Sequence, residues 1–221
     1  MTTTPAPIHI AVVLDRSGSM ASIADDMVGG FNTFLAEQRS KPGQCAVTLV
    51  QFDGQDPFEF LVDGMPLAEV TDLDRSRYVP RGMTPLLDAV GRMIAQVDAR
   101  QAARPDEDQV VLIITDGLEN ASREFSYRQV AQLIADREEK GWAFVFLGSD
   151  AEVMAEAVRM GTSQANRAQW DKSSAGTRRM WEETSDAMTT HRSKEAYLRK
   201  TDSRRLWEER ERRRREGDEG R

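Results

Sequence analysis

Cysteine and histidine are scarce in this chain of 221 residues, which has one cysteine, Cys45, and two histidines, His9 and His191. A single cysteine cannot form an internal disulfide, and so few thiol and imidazole groups exclude cysteine-based zinc or iron–sulfur sites and a histidine-rich metal centre. No apolar run approaches the roughly 18–20 residues of a membrane span. No basic stretch precedes the first apolar run, so we expect no signal peptide. These absences predict a reduced, cytoplasmic protein without membrane contact.

Positive charge is also in the minority. The chain has 30 Lys and Arg against 37 Asp and Glu, a formal net charge of -7. An acidic chain is poorly suited to non-specific binding of nucleic acid, and we expect no nucleic-acid partner. The length fits one domain with an appendage, and such a domain can bury a core without disulfides or a structural metal.

Short apolar runs alternate with amphipathic segments along the chain. The runs predict strands at residues 8–14, 45–52, 58–62, 110–115, 142–147 and 166–170. Helical spacing of apolar residues predicts helices at residues 21–39, 85–99, 150–160 and 174–190, with a further helix starting at Ser126. The short connection between the second and third strands predicts a hairpin. The alternation is typical of an α/β fold with a mostly parallel sheet.

Composition divides the chain into three parts. Residues 1–7 are rich in Thr and Pro and are expected to be flexible, and residues 8–192 form the predicted domain. Residues 193–221 form a charged tail, whose last 21 positions hold eight Arg and seven acidic residues. This mixture predicts an exposed or partly disordered helix. The only apolar pair there, Leu206 and Trp207, would dock either on a partner or back on the domain.

Oxygen-bearing side chains stand where two of the predicted strands end. The first strand leads into Asp15-Arg16-Ser17-Gly18-Ser19, and the most apolar strand leads into Asp116-Gly117. Thr84 lies in a Gly-containing loop that enters a helix. Open parallel sheets bind ligands at the edge where their strands end, so we expect these groups to meet there. Carboxylate and hydroxyl oxygens suit Mg²⁺, Mn²⁺ or Ca²⁺ and not zinc or copper.

The two serine hydroxyls of this motif stand at alternate positions. Ser17 and Ser19 can converge on one ion when the backbone curls at Gly18. Neutral hydroxyl ligands do not cancel the charge of the ion, and Mg²⁺ normally keeps an open or water-filled position. The pattern therefore favours a metal ion that takes a carboxylate from another molecule as its last ligand.

These motifs resemble the metal-ion-dependent adhesion site of von Willebrand factor A domains, and the resemblance covers roughly residues 7–192. It implies a Rossmann-like sheet with helices on both faces and one short antiparallel edge strand. It also implies an intact metal site, in which Ser17, Ser19 and Thr84 contact the ion directly. The remaining ligands, direct or through water, would be Asp15 and Asp116. An Asp or Glu of a partner protein would complete the shell.

One position departs from the pattern of the family, since Met83 stands where many relatives have Gly. The segments that follow Gly82 and Asp116 look most similar to stand-alone intracellular bacterial members. Such relatives often act with AAA+ ATPases of the MoxR type or in stress and conflict systems, which makes an ATPase of this type the partner implied by the resemblance. Side chains beside the site could contact that partner; these rim residues are Arg16, Met20, Met83 and Glu119.

Three functions follow from these residues. The first is a metal-dependent protein-interaction module, and it is the one the sequence favours. The second is an enzyme that uses the same metal in phosphoryl transfer or hydrolysis; it lacks an obvious nucleophile, and Ser17 stands where a dehalogenase-type phosphatase needs a second Asp. The third is a structural subunit that binds through the charged tail. We therefore expect a binding protein and not an enzyme.

Overall fold

A six-stranded sheet forms the centre of the molecule in the computed structural model, which describes residues 6–210 and 212. The strands are β1 (Ile8–Asp15), β2 (Cys45–Phe52), β3 (Glu59–Pro66), β4 (Asp108–Thr115), β5 (Ala143–Gly148) and β6 (Arg167–Gln169). Their order is β3-β2-β1-β4-β5-β6, with β3 antiparallel to β2 and the other neighbours parallel. The α/β fold with one antiparallel edge strand is therefore confirmed.

The strands differ from the predicted ranges mainly at their ends. β3 runs to Pro66, four residues beyond the predicted end at Val62, although it includes Asp63 and Gly64. Polar and glycine residues are tolerated there because β3 is an edge strand with partly exposed side chains and an irregular register against β2. The predicted hairpin between β2 and β3 is confirmed.

The helices are α1 (Ala24–Arg39), α2 (Leu86–Ala103), α3 (Tyr127–Glu138), α4 (Ala151–Arg159), α5 (Ser174–Arg192) and α6 (Ala196–Thr201). The first predicted helix begins differently, since a 3-10 helix over Gly18–Ile23 precedes α1. Ser126 caps α3 in a reciprocal capping box with Gln129, and Asp150 caps α4. Side-chain acceptors at these positions satisfy backbone N–H groups that have no partner within the helix. Of the helices in the part of the chain that the structure covers, none is both long and apolar enough to cross a bilayer.

Two apolar cores lie on opposite faces of the sheet. Alternate residues of β1 contribute to each, Ile10 and Val12 to one core and Ala11 and Val13 to the other. Helices α1 and α5 cover the first face, and α2, α3 and α4 cover the second. Trp181 of α5 packs so closely on α1 that a Cβ at Gly30 would lie 2.0 Å from its ring.

The chain after α5 packs on the domain as far as the structure describes it. Leu206 and Trp207 are buried in the first core. Of the two expected alternatives, this apolar pair therefore docks back on the domain. Arg199 is also buried, and its Nε donates to Asp108 Oδ2 at 2.7 Å. The expectation of an exposed segment is therefore wrong up to residue 210, because apolar contacts and buried ion pairs hold it. Residues 211 and 213–221 of the predicted tail lie outside the described residues, as do 1–5 of the predicted N-terminal segment.

The order of the strands sets the position of the candidate site. β1 lies between β2 and β4, and it pairs in parallel with both. The chain leaves β1 toward β2 on one side, while β4 to β6 extend the sheet on the other side. The carboxyl ends of β1 and β4 therefore form the switch point at which such sheets bind ligands.

Candidate metal centre

Asp15 is the last residue of β1 and is fully buried. Its Oδ1 accepts from the backbone N–H of Ser17 at 2.6 Å, and its Oδ2 accepts from the Thr115 hydroxyl at 2.6 Å. Burial raises the pKa of Asp15 to about 7, although both hydrogen bonds act in the opposite direction. A bound cation would favour the ionised form of this carboxyl group.

Hydrogen bonds join the loop after β1 to the end of β4. The hydroxyl oxygens of Ser17 and Ser19 lie 3.0 Å apart, and the Ser19 hydroxyl donates to Asp116 Oδ1 at 2.6 Å. The backbone turns at Gly18, which brings the two serine hydroxyls together. The N–H of Gly18 donates to the carbonyl of Gly82 at 3.2 Å. That bond also ties the serine loop to the loop that carries Thr84.

Thr84 is positioned through its backbone. Its N–H donates to Asn120 Oδ1 at 2.9 Å, and the Asn120 N–H donates to the Thr84 carbonyl at 3.2 Å. The Thr84 hydroxyl makes no hydrogen bond to any residue that the structure describes. Gly117 leaves room beside it, because a Cβ there would lie 2.8 Å from Thr84 Oγ1 and 3.5 Å from Asp15 Oδ2. The absence of a side chain at Gly117 thus keeps a space between a hydroxyl and a carboxylate.

Asp116 follows β4, and the second oxygen of its carboxylate, Oδ2, is buried. That oxygen forms an ion pair with Lys172 Nζ at 2.5 Å. Lys172 lies in the connection between β6 and α5. The position of Oδ2 thus already favours a positive charge, which a metal cation could supply in place of the ammonium group.

The five predicted ligands thus lie together at the carboxyl edge of β1 and β4. They are Asp15, Ser17, Ser19, Thr84 and Asp116. All the side-chain atoms that could coordinate a metal here are hard oxygens, which fits Mg²⁺, Mn²⁺ or Ca²⁺. Within the described ranges no group of three or more His, Cys, Asp and Glu side chains could hold a metal. The candidate site is of another kind, since three of its five ligands are hydroxyls.

The four residues predicted at the rim of the site differ in burial. Met20 is fully buried in the core under α1, and Arg16 is buried in ion pairs with Asp53 (2.5 Å) and Glu59 (2.6 Å). Neither side chain therefore lies at the rim, because the 3-10 helix turns Met20 inward and Arg16 faces two carboxylates. Met83 is exposed.

Glu119, the fourth rim residue, is half-buried and fixes the loop after β4. Its Oε2 accepts from the N–H of Leu87 at 2.9 Å, and its Oε1 accepts from the N–H of Ser122 at 2.7 Å. Asp88 of α2 holds the same loop through three backbone N–H groups. The carboxylate of Glu119 thus joins two loops of the site.

Two residues of the site are absent from the sequence motifs. Lys172 is one, and no local pattern connects it to Asp116. The other is Tyr78, which is fully buried and donates its hydroxyl to the carbonyl of Asp15 at 2.5 Å. Both lie in irregular segments, where neither helical nor strand periodicity shows which side chains face inward.

Cys45 and His9 lie at the opposite edge of the sheet, near the starts of β2 and β1. His9 is buried; its Nδ1–H donates to Gln109 Oε1 at 2.8 Å and its Nε2 accepts from the Thr48 hydroxyl at 2.8 Å. Burial lowers its pKa to about 4. His9 is therefore a satisfied structural histidine, and Cys45 is half-buried.

Solved structures show the same fold. A pilus adhesin, SpaC from Lactobacillus rhamnosus GG, aligns with a TM-score of 0.65 at 12% identity over 86% of this chain and 30% of that one. Proximal thread matrix protein 1 from the mussel byssus aligns with a TM-score of 0.59 at 16% identity, over 83% and 48% of the two chains. The manganese-loaded Plasmodium vivax TRAP protein aligns with a TM-score of 0.55 at 13% identity, over 83% and 72%.

These identities support the fold alone. The chain spans 30% of the adhesin and 48% of the matrix protein. A search of curated protein sequences finds no significant match. The sequence model of the von Willebrand factor type A domain matches residues 9–200, which is most of the chain. With that match and the sheet described above, the chain belongs to the von Willebrand factor type A domain family.

Proposed function

We propose that this domain binds one divalent cation at the candidate metal centre and that the cation binds an Asp or Glu carboxylate of a partner protein. Domains of this family often mediate metal-dependent protein–protein interaction. Mg²⁺ is the ion that we propose, with Mn²⁺ and Ca²⁺ as alternatives of similar chemistry. The ligands would be Asp15, Ser17, Ser19, Thr84 and Asp116.

One observation carries the proposal. A continuous hydrogen-bonded chain joins the hydroxyls of Ser17 and Ser19 to the buried carboxylate of Asp116, whose second oxygen already holds a cation, the ammonium group of Lys172, at 2.5 Å. A bound divalent cation would supply a positive charge that neutral hydroxyls leave largely uncompensated. The domain's own residues hold the ligands in place, through the side chain and backbone of Asn120 and the hydroxyl of Thr115.

The loops around the site support a protein partner. Val79, Met83 and Leu118 are all large, apolar and exposed. Met83 directly precedes Thr84, and Leu118 directly follows Gly117; Thr84 and Gly117 border the site. Exposed apolar side chains beside the site supply surface that a bound protein partner would remove from water.

We also propose that the domain is not an enzyme. His9 is six residues from Asp15 along β1, a distance of about 20 Å at strand spacing. Cys45 starts the neighbouring strand at the same remote edge. The hydroxyls at the site would be occupied as metal ligands. A phosphatase assay with Mg²⁺ tests this part: turnover that Asp15→Asn abolishes would contradict it.

The nature of the partner rests on the resemblance alone. A MoxR-type AAA+ ATPase, in a bacterial stress or conflict system, is the partner class that we propose. A cytoplasmic location and a stand-alone bacterial protein belong to the same proposal. The ATPase must then present an exposed Asp or Glu that can reach the metal.

A tagged pull-down from native lysate, in Mg²⁺ and in EDTA, tests the proposal. We expect a partner that is retained in Mg²⁺, released by EDTA and absent with the double variant Ser17→Ala and Ser19→Ala. Ser40→Ala with Ser76→Ala, two exposed serines, provides a matched control that should retain the partner. A partner bound equally in EDTA would contradict carboxylate capture.

Truncation distinguishes the metal centre from binding through the tail. Deletion from residue 193 would remove Arg199, Leu206 and Trp207, which are buried in the domain. A stop codon after Arg210 leaves these contacts intact and removes only the last 11 residues. Mg²⁺-dependent capture that survives this truncation excludes the last 11 residues as the interface; capture lost with it would favour the structural-subunit alternative.

A further inference from the structure

A cavity of about 630 Å³ lies at the edge of the sheet opposite the candidate metal centre. Its walls come from residues that precede β1 and β4, the start of β2, the end of β3, and the ends of α1, α2 and α5. Parallel β1, β2 and β4 begin at this edge, whereas Asp15 and Asp116 lie where β1 and β4 end. We name it the basal cavity.

Positive charge is concentrated in the basal cavity. Its lining includes five cationic side chains and two carboxylates, in a chain whose net charge is -7. The cations are Arg39, Lys41, Arg100, Arg104 and Arg192, and the carboxylates are Asp106 and Glu107. The local charge is thus opposite in sign to that of the chain as a whole.

Few of these cations are neutralised by the protein. Arg100 forms a bidentate pair with Glu107, at 2.6 and 2.8 Å. Arg39 pairs with the exposed Asp72 at 3.4 Å, which does not line the cavity, and solvent screens such a pair. Lys41 and Arg104 form no ion pair with any residue in the part of the chain that the structure describes.

Arg192 provides a second and independent observation. Its side chain is buried, and its guanidinium donates to the neutral carbonyls of Gln38 (2.8 Å) and Gly43 (3.2 Å). No carboxylate among residues 6–210 pairs with it. Carbonyls of Lys41 and Pro42 also accept from it, so both terminal nitrogens of the guanidinium are hydrogen-bonded at the C-terminal end of α1. These neutral partners leave a net positive charge at the cavity wall, which an anion nearby would compensate.

The size and the other walls of the basal cavity indicate the kind of anion. Small-molecule sites occupy about 300–1,000 Å³ and combine apolar walls with a few polar groups. Pro66, Leu67 and Ala103 supply apolar surface here. We propose that the basal cavity binds a small organic anion, a compact molecule with phosphate or carboxylate groups on an apolar body. This site is independent of the metal centre.

The cavity is suited to binding and not to covalent chemistry. Cys45 lies in its lining, but burial raises the pKa of the thiol to about 11. The thiol is therefore protonated at neutral pH and is a poor nucleophile. The proposed ligand is bound and released unchanged.

Isothermal titration calorimetry of the full chain tests the proposal, in buffer at physiological ionic strength stripped of divalent cations. The probes are adenosine monophosphate for a phosphate ester, citrate for a carboxylate, and inorganic pyrophosphate for charge without an apolar body. We expect one saturable site per chain for adenosine monophosphate or citrate, with a Kd below about 1 mM. The first probe binding would identify a phosphate ligand, and the second a carboxylate ligand. If pyrophosphate binds as tightly as either organic probe, the proposal that the ligand carries an apolar body is contradicted.

Variants locate the binding. Lys41→Ala with Arg104→Ala should weaken it at least about tenfold, because each removes a charge-assisted contact. Arg128→Ala with Lys140→Ala removes the same charge at exposed positions outside the cavity and should leave the Kd unchanged. The proposal is overturned if neither organic probe binds, or if the cavity variant binds as well as the wild type.

Discussion

The ammonium group of Lys172 lies 2.5 Å from Oδ2 of Asp116. The Asp116 side chain is fully buried, while about a third of the Lys172 side chain, 33%, is exposed. A cation of the chain itself thus pairs with an oxygen that we propose as a metal ligand. A divalent cation at this site has to compete with that ammonium group for the same carboxylate.

Lys172→Ala should therefore strengthen the binding of Mg²⁺. We expect the Kd to fall about three- to tenfold, a modest change because the lysine is partly exposed and screened. Calorimetric titration with Mg²⁺ measures it, with Lys140→Ala as the control for a lost exposed lysine. A Kd that is unchanged or higher in Lys172→Ala would show that the ion pair does not oppose metal binding.

Tyr78 holds the end of β1 at the site through the hydrogen bond that its hydroxyl donates to the Asp15 carbonyl. Tyr78→Phe should lower the free energy of unfolding by about 1–2 kcal/mol, because a buried carbonyl loses its donor. Urea denaturation measures this loss. Tyr197→Phe is the matched control, since Tyr197 is 64% exposed and its variant should have unchanged stability. Equal stabilities for the two variants would contradict the role of Tyr78.

Two adjacent glycines of α1 should respond in opposite directions. A Cβ at Gly29 would meet no atom within 4 Å, whereas a Cβ at Gly30 would lie 2.0 Å from the Trp181 ring. Gly29→Ala should stabilise the domain by about 0.5–1 kcal/mol, because alanine favours the helix. Gly30→Ala should destabilise it by about 1–3 kcal/mol through overpacking between α1 and α5. Thermal unfolding compares them, and a shift in the same direction would contradict this packing.

His9 should make the stability depend on pH. Burial lowers its pKa in the folded state to about 4, from an ordinary value of 6.5. Between these values the unfolded chain takes up a proton that the folded chain does not, so His9 lowers the stability as pH falls. This lowering of the His9 pKa corresponds to about 3 kcal/mol in the free energy of unfolding. Arg100, Glu107 and Asp63 are the charged groups that act on it.

The test compares wild type with His9→Gln from pH 7 to pH 4 by urea denaturation. The difference in unfolding free energy between the two should shrink by up to about 3 kcal/mol toward pH 4. Other titrating groups, such as buried His191, are shared by both proteins and cancel in the difference. Parallel pH profiles would mean that His9 is not held neutral by the fold.

Much of the fold follows from local patterns in the sequence. The β-branched runs of β1, β2 and β4 and the helical spacing in α1 and α2 are strong periodic signals, and each predicted strand and helix is present. The grouping of Asp15, Ser17, Ser19, Thr84 and Asp116 also follows, because parallel strands bring their ends to one edge. Whether these residues bind a metal stays a prediction.

Other features depend on contacts between distant segments. Lys172 reaches Asp116 across 56 positions, and nothing near either residue signals the pair. Adjacency to the motif predicts Met20 and Arg16 at the rim, but the 3-10 helix turns Met20 inward and Asp53 holds Arg16 in an ion pair. In the tail, average charge concealed the burial of Arg199, whereas docking of Trp207 on the domain is one of the two alternatives that the sequence leaves open. The basal cavity combines ends of seven elements and has no signature in any one of them.

The most direct test of the account is a titration with Mn²⁺ followed by electron paramagnetic resonance, which detects the free ion. We expect the wild-type chain to remove one Mn²⁺ per molecule from solution and Mg²⁺ in excess to release it. Ser17→Ala with Ser19→Ala should leave the free signal unchanged, while Ser40→Ala with Ser76→Ala should bind as the wild type does. A wild-type chain that leaves all Mn²⁺ free, or a site variant that binds it equally well, would contradict the proposed metal centre.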